Sequence, residues 1–197
     1  MPGTISNGDV VLVSARGQGL VSASIELGER RRYGFGSPYA RYSHCALVYD
    51  DTHQEPEAML IVEATGRSGV HKAFLSKYGR VTCKIISTQV DEHDWKQMKA
   101  FLDSVLHARE GYDWLAYAGL TLYALTGTRL CLQTAGTAIC SGLACDALTR
   151  AGFIWSRPPY ACTPADIDAD LERARCKSWE LDPHATTSPA RMRSAGT

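Results

Sequence analysis

The hydrophobic period of this chain changes near residue 90, and that change constrains the fold more than any other feature. Before it, short apolar runs have the length and composition of strands: "GDVVLVSA" (8–15), "YSHCALVYD" (42–50), "AMLIVEAT" (58–65) and "RVTCKIIST" (80–88). The polar stretch "DDTHQEPE" joins the second and third of these as a hairpin connection. After the change, "DEHDWKQMKAFLDSVLHAREG" (91–111) places Trp95, Met98, Phe101, Leu102, Val105 and Leu106 on one face and charges opposite, an amphipathic helix that Gly111 ends. "YDWLAYAGLTLYALTG" (112–127) reads as a second, more buried helix, and "CSGLACDALTRAG" (140–152) as a third, closed by Gly152. A fourth, over 163–174, opens with Thr163 as N-cap, Pro164 in the first helical position and Asp166 three residues on. Strands first and helices later is the order of an α+β fold, an antiparallel sheet packed against helices.

The remaining segments are weaker. "GLVSASIELGER" (19–30) reads as a short helix, "RRYGFGSPYAR" (31–41) as a loop, and "VHKAFLSKYG" (70–79) as a short helix or irregular link. No repeat and no long linker divides the 197 residues, so a single domain over 1–180 is expected. Residues 181–197 have few apolar side chains and read as a disordered tail.

Charge excludes some partners. Lysine and arginine total 21, as do aspartate and glutamate, and this balance lacks the basic footprint of a nucleic-acid binder. The run "ERRRYG" (29–34) reads as a solvated loop, with an anionic partner as the alternative. The start of the chain has no basic segment followed by an apolar stretch, so no signal peptide is expected. Residues 114–125 are too short and too interrupted for a transmembrane segment. Synthesis in the cytoplasm is the expectation; export, where it occurs, would use a dedicated secretion system or lysis.

Chemistry is carried by cysteine, histidine and glutamate. The seven cysteines stand at 45, 83, 131, 140, 145, 162 and 176, with no two-residue-spaced zinc knuckle among them. Without a signal peptide, reduced thiols buried as small apolar residues are the default. Cys140 differs by position. It extends the line Leu143, Ala144, Ala147, Leu148, Ala151 back to the helix start. There the helix dipole favours a thiolate, and the first backbone N–H groups lack helical partners. Core filler, one end of a disulfide, a metal ligand and a nucleophile are all compatible with such a thiol.

A nucleophilic cysteine needs a base. Of six histidines, His44 alone sits at the start of an apolar strand, where its ring is held firmly; His71, after the "GRSGV" loop, is ambiguous. Glu63 lies inside the next apolar strand, where an unpaired carboxylate is costly. Paired as a hairpin, the two strands bring His44 and Glu63 to one side. The alternatives are a satisfied core histidine and an edge glutamate pointing to water. Cys45 should face away from His44, and Cys145, roughly 140° round the helix from Cys140, should leave the active face, which makes a metal site from these residues geometrically poor.

The ordered set "GDVVLV", "YSHCALV", "LIVEATGRSGV", "GYDWLAYAGL", "AICSGLACDALTRAGF", "TPADID" resembles the circularly permuted papain-like cysteine hydrolases, relatives of the NlpC-type peptidases. The likeness covers roughly residues 8–170. It implies a papain-like fold in permuted order, strands before the cysteine helix, and a cofactor-free thiol hydrolase. Cys140 matches the nucleophile, His44 the general base and acid, and Glu63 the orienting residue. Tyr112, Asp113, Gly8, Asp9 and Pro164 match structural elements. The family's substrates imply a peptide or peptidoglycan amide first. A lipid amide or ester, cleaved or transferred, is the second option, and a non-catalytic binding or accessory module is the alternative of another class. Two residues depart from the pattern: Cys45 follows the histidine where an apolar residue is usual, and Gly142 follows "CS" where a larger polar one is usual. The glycine would widen the cleft beside the nucleophile.

Overall fold

All four residues of "VVLV", Val10 to Val13, are buried, so the strand they form needs a layer on each face. The computed structural model describes residues 4–14, 20–34, 36–51, 58–115, 118, 119, 122 and 136–181. Its strands are β1 (Val10–Ser14), β2 (Tyr42–Asp50), β3 (Leu60–Thr65), β4 (Gly69–Phe74), β5 (Cys83–Ser87), β6 (Gly111–Tyr112), β7 (Thr137–Ala138) and β8 (Lys177–Leu181). Its helices are α1 (Leu20–Tyr33), α2 (Glu92–Ala108), α3 (Cys140–Thr149) and α4 (Pro164–Arg173). Six strands form one antiparallel sheet in the order β4-β3-β2-β1-β5-β8, with β1 and β2 in the middle. β6 and β7 make a small parallel pair. The fold is α+β.

Alternation sorts each strand between two cores. Val10, Leu12, Cys45, Leu47 and Val62 face Met98, Leu102, Leu143, Leu148, Ile167 and Leu171 of the helical layer. Val11, Val13, Ala46, Val48 and Ile61 face Ile5, Met59, Leu75 and Tyr78 on the other side. Each fully buried aliphatic side chain contributes about 1.5–3 kcal/mol, so the two cores together hold the layers. Polar ties then set the helices. Asp166 caps α4 in a capping box with Thr163 and also accepts from Arg32 Nη1 at 2.8 Å and Tyr33 Oη at 2.5 Å. Lys84 of β5 reaches Asp168 Oδ1 at 2.5 Å, and Glu29 Oε1 accepts the Ala165 N–H at 3.0 Å. Asp9, buried at the start of β1, accepts the N–H groups of Ser6 and Thr88. The first bond closes a turn, and the second ties the start of β1 to the residue after β5.

Several sequence expectations need correction. Residues 70–79 are neither a helix nor an irregular link: they form β4 and a 3₁₀ turn over Leu75–Tyr78. The tight "TGRSG" connection returns the chain against β3, and that pairing overrides the mixed local pattern. β8 was not foreseen; it is a largely exposed edge strand on β5, so its polar face masks the period. It also keeps Leu181 out of any tail, while 182–197 lie outside the described residues. α2 ends at Ala108, not at Gly111: Arg109 takes the left-handed position (φ 52°), and Gly111 belongs to β6. Of the helix expected over 112–127, Tyr112 belongs instead to β6 and Asp113 is not helical; Trp114, Leu115, Ala118, Gly119 and Leu122 are helical, and the rest lies outside the described residues. The arginine run is the last turn of α1, not a solvated loop. Basic residues suit that end of the helix dipole, and Arg30 and Arg32 are paired with Glu26 and Asp166. Among the described residues no helix is long and apolar enough to cross a membrane.

The β3–β4 turn depends on one glycine. Gly69 has φ +63°, and a Cβ there would lie 2.3 Å from the Glu110 carbonyl oxygen, which accepts the Val70 N–H at 2.9 Å. Gly69→Ala therefore carries both left-handed strain and a backbone clash. It should destabilise the protein by about 2–4 kcal/mol in urea unfolding. A loss well under about 1 kcal/mol would show that the turn tolerates a Cβ.

Candidate active site

β2 and β3 pair with Leu47 opposite Val62. Continuing that register sets Ala46 across from Glu63, with His44 one step along on the same face. Diagonal neighbours of this kind are within reach of long side chains. His44 Nε2 lies 2.7 Å from Glu63 Oε2. Beside it, Val13 pairs with His44 and Ser14 with Tyr42, leaving Ser43 as a one-residue bulge. A bulge raises local twist and re-aims the neighbouring side chain.

Cys140 arrives from the other layer. It is the first residue of α3, whose N-cap is Ile139, and that cap supplies no side-chain bond to the helix start. The first internal helical bond is Leu143 N–H to Ile139 C=O at 2.9 Å, so the N–H groups of Cys140, Ser141 and Gly142 are not used by the helix ladder. α3 is buried on almost every side, from Cys140 to Cys145 and again at Ala147 and Leu148. It sits between the sheet, α2, α4 and the 159–161 turn.

The Cys140 thiol lies close enough to the His44 imidazole for each to shift the other's titration. Burial alone disfavours the imidazolium, but the Cys140 thiolate and then Glu63 outweigh it and raise His44 to about 9. The Cys140 thiol is held well below its ordinary range. A hydrogen bond from the Cys45 thiol is the largest cause, burial opposes it, and the His44 charge adds to it. Cys45 itself is pushed up, chiefly by burial and then by its bond to Cys140. Both shifts favour a thiolate beside an imidazolium. The Cys140 residue is 5% exposed, so little of it reaches solvent.

Glu63 is fully buried yet ionised. Burial pushes its carboxyl up, but His44, Lys77 and Tyr78 together bring it down to about 2. Tyr78 donates to Oε2 and Lys77 to Oε1. His71 Nε2 is 3.2 Å from Oε1, and its Nδ1 is 3.0 Å from the Gly69 carbonyl oxygen. An ionised carboxylate only accepts, so His44 Nε2 is the donor in its bond to Glu63.

His44 is bonded to Glu63, with Cys140 beside the imidazole, and Cys45 turns to the other face of its strand as expected. Alternation does send it to the face opposite His44, but α3 packs on that face, so Cys45 lies directly against Cys140. Gly142 does not widen a cleft. It is buried, and a Cβ there would come 3.2 Å from Ile139 Cγ1 and 3.4 Å from the Pro159 carbonyl oxygen. Its role is close packing of the 159–161 turn on the helix start. Cys145 is buried next to Cys162, away from the imidazole. Among the described residues no group of three or more histidine, cysteine or acidic side chains is arranged to hold a metal ion. Cys131, His53 and His184 lie outside the described residues.

Lys77, Tyr78 and His71 escaped sequence reasoning as partners of Glu63. Only His71 had a usable signal: a tight turn over 66–68 pairs Thr65 with Gly69 and so Glu63 with His71.

The Glu63 shift has a measurable sign. Its folded value of about 2 lies below the ordinary 4.5, so its contribution to stability is complete above the ordinary value and is lost as pH falls toward about 2. Glu63→Gln should destabilise the protein near neutral pH, and the difference from wild type should shrink steadily on acidification. Urea titrations across that range check this; a constant difference would show that the carboxylate's charge is not what is lost. No family model matches the chain, and no curated protein matches it.

Proposed function

We propose that this chain is a cysteine-nucleophile hydrolase that cleaves an amide bond, in a peptide or peptidoglycan-type substrate, through an acyl-enzyme. One observation carries the reading: a buried thiol stands at an uncapped helix start, beside an imidazole held by a buried carboxylate, and these neighbours favour the thiolate. Those are the three requirements of an activated thiol: an acidified nucleophile, a proton carrier and an orienting group. The order of strands before the cysteine helix supports a papain-like fold in permuted order.

In this reading Cys140 Sγ attacks the substrate carbonyl carbon, and the C=O pair moves onto oxygen. The Cys140 N–H and its neighbours at the start of α3 face the developing oxyanion. His44, protonated near neutral pH, gives its proton to the leaving nitrogen as the C–N bond breaks. The acyl group is then a thioester on Cys140, and the amine departs. Water adds to that thioester while His44 takes its proton; the C–S bond breaks, the acid leaves, and thiolate and imidazolium return. Glu63 holds the ring in one orientation throughout.

Two assays test this. Brief iodoacetamide labelling with peptide mapping should modify Cys140 far faster than the other cysteines. His44→Ala should slow that labelling about tenfold or more, because the thiolate loses its counter-ion. Even labelling of all seven cysteines would remove the nucleophile. Muropeptides and phospholipids, each incubated with wild type and Cys140→Ala, should show amide cleavage by wild type alone. Cleavage of phospholipid alone would make this a lipid hydrolase or acyltransferase, and an inert Cys140 would leave a binding module.

A further inference from the structure

The Glu63 carboxylate is crowded in a way that orienting one imidazole does not require. His44 from β2 and Tyr78 from the 3₁₀ turn both donate to Oε2. Lys77, one residue before Tyr78, donates to Oε1, which His71 of β4 also faces at 3.2 Å. Tyr78 is buried, with its ring tilted against the His44 ring at 5.9 Å between centroids. The Lys77 side chain is 39% exposed, so its ammonium meets the buried carboxylate from the solvent side. A carboxylate has two oxygens with about four acceptor sites, so each donor takes charge that the others then do not receive.

We propose that Lys77 and Tyr78 are positioning residues of the thiol site, sharing the Glu63 carboxylate with His44 and so setting how much of its negative charge the imidazole feels. The inference rests on the proposed thiol chemistry for its catalytic consequence; the sharing itself is a property of the fold. Its direction follows from simple electrostatics. An imidazole that owned the whole carboxylate would hold its proton too tightly to release it to a leaving group. Lys77 is also a like charge close to the imidazolium. Losing Lys77, or the Tyr78 hydroxyl, leaves Glu63 held by its remaining donors and hands more of its charge to His44. The other groups in the network are Cys140 and Cys45 beyond the ring, His71 on Oε1, and Cys83, which acts on Tyr78. Cys140 also acts on Tyr78.

The test is a histidine NMR titration of the full chain, with the His44 signal identified by its absence in His44→Ala. Lys77→Met and Tyr78→Phe should each move the His44 midpoint upward, by about half to one pH unit, and Lys77→Arg should keep it near wild type. Lys77 is partly exposed and Tyr78→Phe keeps the ring, so the two variants perturb folding in different ways; the one that retains the wild-type circular dichroism is decisive by itself. A midpoint that stays or falls overturns the sharing. Iodoacetamide labelling of the same samples separates this from the enzymatic reading. Raised midpoints with an unselective Cys140 leave the sharing standing and remove the hydrolase. A selective Cys140 with unmoved midpoints does the reverse.

Discussion

A carboxylate buried inside a β-sheet is the constraint on which the rest of this site depends. Glu63 has no solvent exposure, and an ionised carboxylate without partners there would cost several kcal/mol. The fold meets that cost with donors from β2 and from the turn after β4, while His71 of β4 faces Oε1. Removing the charge while keeping the donors would strand them instead. So the hairpin β3–β4, the 3₁₀ turn and the first residues of β2 are tied to one another through a single side chain. Gly69, whose backbone closes that hairpin, belongs to the same arrangement.

The thiol reaches this network because α3 is a buried central helix and not a surface one. Its contacts run to the sheet on one side and to α2, α4 and the 159–161 turn on the others. Gly142 lets that turn come close, and Ser141 Oγ donates to the Cys162 carbonyl oxygen at 2.6 Å to fix the helix start. Asp166 performs a similar task one element later, where its carboxylate caps α4 and collects Arg32 and Tyr33 from α1. In both places a helix N-terminus is pinned by bonds from distant sequence, which gives Cys140 a firm position relative to His44.

Much of this was legible in the chain. The apolar runs at β1, β2, β3 and β5 and the amphipathic face of α2 are local patterns, and the structure keeps them. Thr163, Pro164 and Asp166 spell out a helix start that uses only neighbouring atoms. His44 and Glu63 could be paired on paper because hairpin register is arithmetic. The failures share one cause. β4 and β8 are strands by virtue of the partner they lie against, since each carries a half-exposed, mixed pattern. Arg109 takes a left-handed cap that its residue type does not advertise. Cys45 was placed on the correct face of its strand, but what covers that face is a packing result.

The sequence by itself determined the α+β order, the thiol at a helix mouth, and the histidine and glutamate on adjacent strands, because each of these is written in local period and spacing. Only the tertiary structure decided that Cys45 abuts Cys140, that Gly142 is packed and not open, and that Lys77, Tyr78 and His71 converge on Glu63. Those outcomes depend on which faces meet and on how a buried charge finds donors far along the chain. Spacing within a strand or helix cannot encode that, since the groups that answer the charge stand on other elements.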